Sequence, residues 1–539
     1  MTPQITALRS PGVLRVTTRA NSPDGTSPGT PTWVFPSGLV LLVMFVYSPV
    51  LWFDYGFSDD YALLMQQQTN PGATSDFLVG AGRPVTALLD RLALGLTNDI
   101  QGLAGLRLVT VVGLALVALA LYACFTRCLP LPGWQAASLA GAIVVLPPFQ
   151  VSATWAILFV VPIGVLAAVA AAALVVQPTR GLKVSRLAAA TGLLSVSMLI
   201  YQPAAMFFTV LVGAVALHDL HEQSVRETLR RIVPAALVAI VSTSIGLVAL
   251  VVGLRVTGVG GERAGTTRDP GAKLEWFVTA VLPRAADPLA ASSISTRFWP
   301  GLIVGLVTTI GLFFWFSGNT GQRLGKLALA SLLLPAAYAP NLVLLEDWPS
   351  TRSRLALMPV LLVLLFFAVR GLVPSQVQVN RLVGPALALT TVASLSLSGQ
   401  TDLAVTFAVP QAQELGAARS AVTAAVDSGA LDDGVLTVAK SNWFDSLAPR
   451  LAFDEYGVPS TAQPHVPVPL VQLILRERGL PWDGVRLAVD GETAEIDFAG
   501  VLAAAEAYSP ADFTPSVRVD VGSESAVLTG PPTGVSKSK

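Results

Sequence analysis

The sequence predicts an α-helical polytopic membrane protein of about eleven transmembrane helices, followed by a C-terminal extracytoplasmic α/β domain. Three observations predict it. The 539 residues are 53% hydrophobic and 13% charged, with a mean hydropathy of +0.64. So much apolar surface cannot be hidden in one soluble core. Long uncharged runs recur along the first 400 residues, and the Lys and Arg residues between them fall on alternate sides.

A helix needs roughly 20 apolar residues to cross about 30 Å of hydrocarbon, with every backbone group paired inside it. Runs that meet this requirement fall at 33–53, 108–125, 134–149, 151–176, 187–201, 203–217, 232–254, 299–317, 327–345, 355–369 and 382–398. The uncharged stretch from Cys128 to Thr179 is long enough for two crossings, and Pro147-Pro148 supplies the turn between antiparallel neighbours. Between Leu187 and Leu217 only Tyr201, Gln202 and Pro203 interrupt the apolar run. Charge decides for two spans there. With eleven crossings the inside segments hold Arg9, Arg15 and Arg19, then Arg127, then Arg180, Lys183 and Arg186, then Arg226, Arg230 and Arg231, then Arg323 and Lys326, then Arg370 and Arg381. This is the positive-inside pattern, and it places the N-terminus in the cytoplasm of a plasma (inner) membrane protein. The basic residues of 255–297 fall outside, where long loops obey the rule weakly.

The expected organisation is a charged, disordered cytoplasmic tail over 1–32, a transmembrane domain over 33–399, an extracytoplasmic α/β domain over 400–530 and a disordered tail over 531–539. The outer loops of the membrane domain are 54–107 and 255–298. Within the C-terminal piece the pattern predicts helices near Gln411–Val426 and Leu470–Arg478, and strands at 434–439, 485–489 and 494–498. The 34 basic and 34 acidic residues cancel, which gives no footprint for nucleic acid. Cys124 and Cys128 have the spacing of half a metal site with no second half, and read as structural.

Function is expected at the outer rim. Immediately after the first span, Asp54, Asp59 and Asp60 place three carboxylates in Phe53-Asp-Tyr-Gly-Phe-Ser-Asp-Asp-Tyr61. Adjacent acids repel and raise one pKa, which suits a general base or an acceptor-orienting pair. The alternative is that Ser58 caps a helix whose positive end the acids complement. Gly82-Arg83-Pro84 opens a further amphipathic stretch, and Arg83 is either a phosphate-holding fork or an ordinary interfacial cation. Tyr201-Gln202-Pro203 and the loop Glu346-Asp-Trp-Pro-Ser-Thr-Arg352-Ser-Arg354 reach the same membrane face.

At these residues the chain resembles the GT-C class of integral membrane glycosyltransferases, and more narrowly the O-antigen glucosyltransferase type II family. The matching pieces are Ser58-Asp59-Asp60, Gly82-Arg83-Pro84, Tyr201-Gln202-Pro203, and Trp348-Pro349-Ser350 with Arg352, in that order over roughly residues 33–400. The resemblance implies transfer of a sugar from a polyprenyl-phosphate donor in the membrane to an extracytoplasmic glycan or cell-envelope acceptor, with inversion and a catalytic aspartate in the first outer loop. Asp59 and Asp60 rank equally as the base, with Asp54 third. Arg83, Arg352 and Arg354 are candidates for the donor phosphate, and Tyr201, Gln202 and Glu346 for the rest of the pocket. No cofactor is committed to, a divalent metal near Glu346 being left open. The rival readings are a lipid-linked sugar transporter or flippase, and a non-catalytic scaffold for envelope assembly. A transporter places its ionisable groups near the bilayer midplane, whereas here they gather at one rim.

Overall fold

The computed structural model describes residues 33–176, 183–258, 265–287, 298–373, 383–427, 436–438, 455–480, 482, 485–487, 519–521 and 524–526. The expected tails at 1–32 and 531–539, and the strand expected at 494–498, lie outside them. The described chain is nearly all helical. The first apolar run forms α1 (Val34–Trp52), and three short helices follow, α2 (Asp59–Thr69), α3 (Pro71–Gly80) and α4 (Pro84–Gly95). Pro71 and Pro84 each open a helix at the position where a missing N–H costs nothing. Next come α5 (Leu103–Cys128), α6 (Gly133–Val144), α7 (Pro147–Thr154), a 3₁₀ turn at Ala156–Phe159 and α8 (Val160–Val176). The middle of the chain forms α9 (Val184–Ile200), α10 (Gln202–Ala205), α11 (Phe208–Glu222) and α12 (Val225–Thr257).

Helix α12 begins with a capping box between Ser224 and Glu227 and ends at Gly258 in the left-handed conformation. Its 33 residues span about 50 Å, more than the hydrocarbon is thick. Val233, Leu237, Ile240, Val241 and Val248 stand exposed along it. An apolar face of this length needs lipid to cover it. The chain is a multi-pass membrane protein.

The count of eleven spans is not what the described helices support. Five helical stretches are long and apolar enough to cross alone, Val34–Trp52, Leu103–Cys128, Ala156–Val176, Gln202–Glu222 and Val225–Thr257. A bent pair, α6 with α7, makes a sixth. Shorter apolar helices occupy Val184–Ile200, Pro300–Trp315 and Leu357–Leu372. The run at 327–345 is broken into α16 (Thr320–Ser331), α17 (Leu333–Ala337) and α18 (Ala339–Val343), with prolines inside the last two. Pro147-Pro148 bends the chain by 54° rather than reversing it. Proline at a helix start nucleates a new helix, and α7 is the result.

After α13 (Pro270–Trp276) and α14 (Leu282–Ala286), α15 (Phe298–Trp315) packs against α19 (Leu357–Leu372). The last apolar helix, α20 (Val383–Leu403), passes through a π-helical turn at Ala404–Ala408 straight into α21 (Val409–Asp427). A second amphipathic helix, α22 (Pro467–Glu477), packs on both α21 and α2. Strand structure is confined, among the described residues, to β1 (Leu436–Val438), β2 (Val485–Leu487), β3 (Val519–Val521) and β4 (Glu524–Ala526), in the order β2-β1-β3-β4. An independent α/β domain over 400–530 is therefore not supported. Its helices are continuous with the membrane part or packed on α2, and each strand is three residues long.

The segment 54–107 docks tightly. Gly82 (φ +73°) turns the chain between α3 and α4. A Cβ at Gly253 of α12 would lie 2.0 Å from the Val79 carbonyl oxygen, so only glycine lets α12 approach α3 this closely.

Candidate functional site

The loop Phe53–Asp60 is built around Arg107, a charge near the N-terminal end of α5 that is 0% exposed. Its Nε donates to the Val50 carbonyl at 2.8 Å, Nη1 to Tyr55 at 2.6 Å and Nη2 to Phe53 at 3.2 Å. These carbonyls lie at or just beyond the end of α1, where no helical donor is left to meet them. The guanidinium also lies 4.0 Å from the Tyr55 ring centroid. Tyr61 accepts the Gly56 N–H on its hydroxyl. Ser58 sits at φ +50°, ψ −118°, a region that costs a non-glycine residue on the order of 1–3 kcal/mol and persists only where its surroundings fix it. Its side chain does not cap α2. Instead its N–H donates to Ser460 Oγ at 2.8 Å, four hundred residues away in sequence.

The two adjacent aspartates part company here. Asp60 is 0% exposed. Its Oδ2 accepts the N–H groups of Phe57 (2.9 Å) and Ala156 (3.1 Å), and its Oδ1 that of Ile157 (3.0 Å). It ties the loop to the 3₁₀ turn after α7. Burial pushes its carboxyl up to about 7, against the opposing pull of these N–H groups and Arg107. Asp59 keeps 37% of its side chain exposed, and its Oδ1 lies 2.6 Å from His465 Nε2. Ser58 Oγ approaches the same oxygen at 3.5 Å. Asp54 pairs with Arg419 of α21 at 2.8 Å, and Arg419 pairs in turn with Glu477 of α22 at 3.2 Å.

A second cluster joins two segments that are far apart in sequence. Arg83 Nε donates to Gln202 Oε1 at 3.1 Å, and its guanidinium lies 4.9 Å from the Tyr201 ring centroid. Gln202 Nε2 donates to the Ala81 carbonyl, and Thr86 Oγ1 to that of Ile200. Arg83, Tyr201 and Gln202 are thus brought together. Below them Asp90 is buried on α4, and burial raises its carboxyl to about 8.

The loop 346–354 divides its charges in a similar way. Arg352 lies with its guanidinium 4.6 Å from the Trp155 ring centroid and its Nε 3.5 Å from Glu455. Trp155 also packs edge-on against Phe57, beside the aspartates. Arg354 is 5% exposed and donates to the carbonyls of Arg284 and Ser350 and to Thr351 Oγ1. Glu346 has an exposed side chain, and its carbonyl accepts Lys273 Nζ at 2.7 Å. Among the described residues, no group of three or more His, Cys, Asp or Glu side chains is placed to hold a metal ion.

Five residues of this region are not singled out by the sequence. Arg107 gave a signal, a lone charge in the apolar run Leu106-Arg107-Leu108. His465 gave a weaker one, as one of three histidines in the chain. Trp155 and Glu455 gave none. Nor did Glu414 of α21, buried, with its carboxyl raised by burial. It accepts the N–H of Ser460 and that of Thr461, both at 2.9 Å, and also the Thr461 hydroxyl.

Among solved structures, the crystal structure of ArnT from Cupriavidus metallidurans bound to undecaprenyl phosphate is similar over 89% of each chain, at 12% identity and a TM-score of 0.42. A likeness this loose assigns no residue. No curated protein matches the chain. The family described as glucosyl transferase GtrII matches residues 57–387, from the loop that carries the aspartates to beyond α19. Spanning more than half of the sequence, that match makes this chain a member of the GtrII glucosyl transferase family, and so a membrane glycosyltransferase.

Proposed function

We propose that the protein is a GT-C-type enzyme that transfers a sugar, glucose by family membership, from a polyprenyl-phosphate donor to a glycan or other envelope acceptor on the non-cytoplasmic side of the inner membrane. Asp59 is the base. The observation that carries this choice is the contrast within the acidic pair, because Asp60 spends both oxygens on three backbone N–H groups while Asp59 stands 37% exposed at the rim. The acceptor hydroxyl oxygen bonds to the anomeric carbon as Asp59 takes its proton. The bond from that carbon to the phosphate oxygen breaks, and its electron pair leaves with the polyprenyl phosphate. Attack opposite the leaving group inverts the anomeric centre. A base so placed contributes roughly 10²- to 10⁴-fold.

Arg83 and Arg352 receive the developing phosphate charge. Each guanidinium is oriented by an aromatic face and a polar partner, Tyr201 with Gln202 and Trp155 with Glu455. Arg354 and Asp54 hold the surrounding segments in place. The positive-inside pattern supports an outward-facing rim and a cytoplasmic N-terminus.

The test is transfer by the purified protein in vesicles supplied with polyprenyl-phosphate-linked glucose and, separately, other polyprenyl-phosphate sugars. Glucose should be consumed in preference, and Asp59→Asn should lose at least about a hundredfold in rate with unchanged insertion. Wild-type rates in Asp59→Asn would sink the assignment of the base.

A further inference from the structure

The residues around 455–480 lie beyond the 57–387 covered by the family match, yet they place a side chain directly on the proposed base. We infer that His465 is a positioning residue for sugar transfer, holding the Asp59 carboxylate in the orientation in which it accepts the proton. The segment Ser460–Val466 thereby completes a site that the matched residues alone leave incomplete. This rests on the reading of Asp59 as base.

Two independent contacts fix the segment on the loop. The Ser58 N–H meets Ser460 Oγ at 2.8 Å, and Asp59 Oδ1 meets His465 Nε2 at 2.6 Å. Ser460 Oγ itself donates to Gln411 Oε1 at 2.6 Å, so α21 is part of the same clamp. Both flanks of His465 are anchored. On one side Ser460 and Thr461 are buried and held by Glu414, and on the other Val466 is buried at the start of α22. Only Pro464 and His465 stand out from the arch between them.

An ionised carboxylate can only accept, so the imidazole proton lies on Nε2. A hydrogen bond to a charged oxygen at this distance is short, and stronger than a neutral one. The pair cannot be there chiefly for stability. His465 is 46% exposed and Asp59 37%, and pairs so exposed contribute little to stability. What the contact does is orient the Asp59 carboxylate at its Oδ1, the oxygen that Ser58 Oγ also approaches. Misplacing a reacting group by about 1 Å costs on the order of a hundredfold in rate.

The experiment uses the full chain in vesicles containing polyprenyl-phosphate-linked glucose and a lipid-linked glycan acceptor. His465→Ala is expected to lower kcat roughly 10- to 100-fold with the donor KM essentially unchanged. His465→Gln, whose amide N–H reaches the same carboxylate, should restore much of the loss. The double variant Asp59→Asn/His465→Ala should be no slower than Asp59→Asn alone, because a residue acting through another adds nothing once that other is gone. If His465→Ala keeps wild-type kcat while Asp59→Asn is inactive, the inference fails and the proposed base stands. Losses that multiply in the double variant, or a change confined to KM, also overturn it. Full activity of Asp59→Asn removes the base and this inference together.

Discussion

The loops at 53–61 and 346–354 solve the same problem with opposite signs. Each crowds like charges into a few residues at the end of an apolar run, and each turns one of them inward and leaves another half-exposed. In the first loop the inward group is an anion, Asp60, satisfied by three peptide N–H groups. In the second it is a cation, Arg354, satisfied by two carbonyls and a hydroxyl. The half-exposed members, Asp59 and Arg352, have side-chain partners from the 455–465 region instead. Residues one or two apart in a turn point in different directions. A charge cluster in sequence is thus both an anchor and a presented group, and burial tells which is which.

The comparison breaks most severely at Arg107, the anchor beneath the first loop. Arg107→Met removes the donor from three carbonyls at once, each loss costing about 1–3 kcal/mol where the group stays buried. The variant should melt well below the wild type in detergent and lose transfer altogether, as read by thermal unfolding and by donor consumption. A variant with normal melting and normal activity would show that the loop is held by its other contacts.

Asp60 gives the next largest effect. Asp60→Asn turns an amide nitrogen toward at least one of the three N–H groups that the carboxylate accepts. Stability should fall by about 1–3 kcal/mol, while the residual folded protein still transfers sugar. Its titration sharpens the point. Burial raises its folded-state carboxyl to about 7, above the unfolded value near 4, so the folded state binds the proton more tightly. The stability this group contributes is full below about pH 4 and is lost as the pH rises through 7. Asp90 and Glu414, also raised by burial, act in the same direction. The wild type should therefore lose melting temperature between pH 5 and 8, and Asp60→Asn should lose less. Identical pH slopes would mean that burial does not raise the Asp60 carboxyl in the folded protein.

Much of this was legible in the sequence, and the remainder was hidden for identifiable reasons. Apolar runs located the helices, because the bilayer requires length and hydropathy that can be counted directly. The count of eleven is not supported where the apolar helices are short, as at Val184–Ile200 and Leu357–Leu372, and where prolines broke the run at 327–345. The charge pattern put Arg83 and the Tyr201-Gln202 segment at one expected face, but their direct contact depends on packing between residues over a hundred positions apart. The choice between Asp59 and Asp60 was not, since it depends on the peptide groups of Ala156 and Ile157, about a hundred residues away. The clamp of Glu414, Ser460 and His465 on the loop was equally invisible, because no periodicity links residues 58 and 465.

The smallest expected effect separates the two arginines of the second loop. Lysine keeps the charge but loses the planar fork, which matters differently at the two positions. At Arg354 the fork reaches three acceptors inside the protein, so Arg354→Lys should cost stability and leave the donor KM alone. At Arg352 the side chain is 32% exposed, stacks on Trp155 and pairs with the buried Glu455, for which a lysine still supplies the charge. Arg352→Lys should melt like the wild type and show its defect in donor KM, through weaker bidentate contact with the phosphate. Melting curves and donor saturation measured on both variants decide the matter. Reversed signatures, with Arg352→Lys unstable and Arg354→Lys impaired in donor binding, would mean that the presented and anchoring roles in this loop have been assigned the wrong way round.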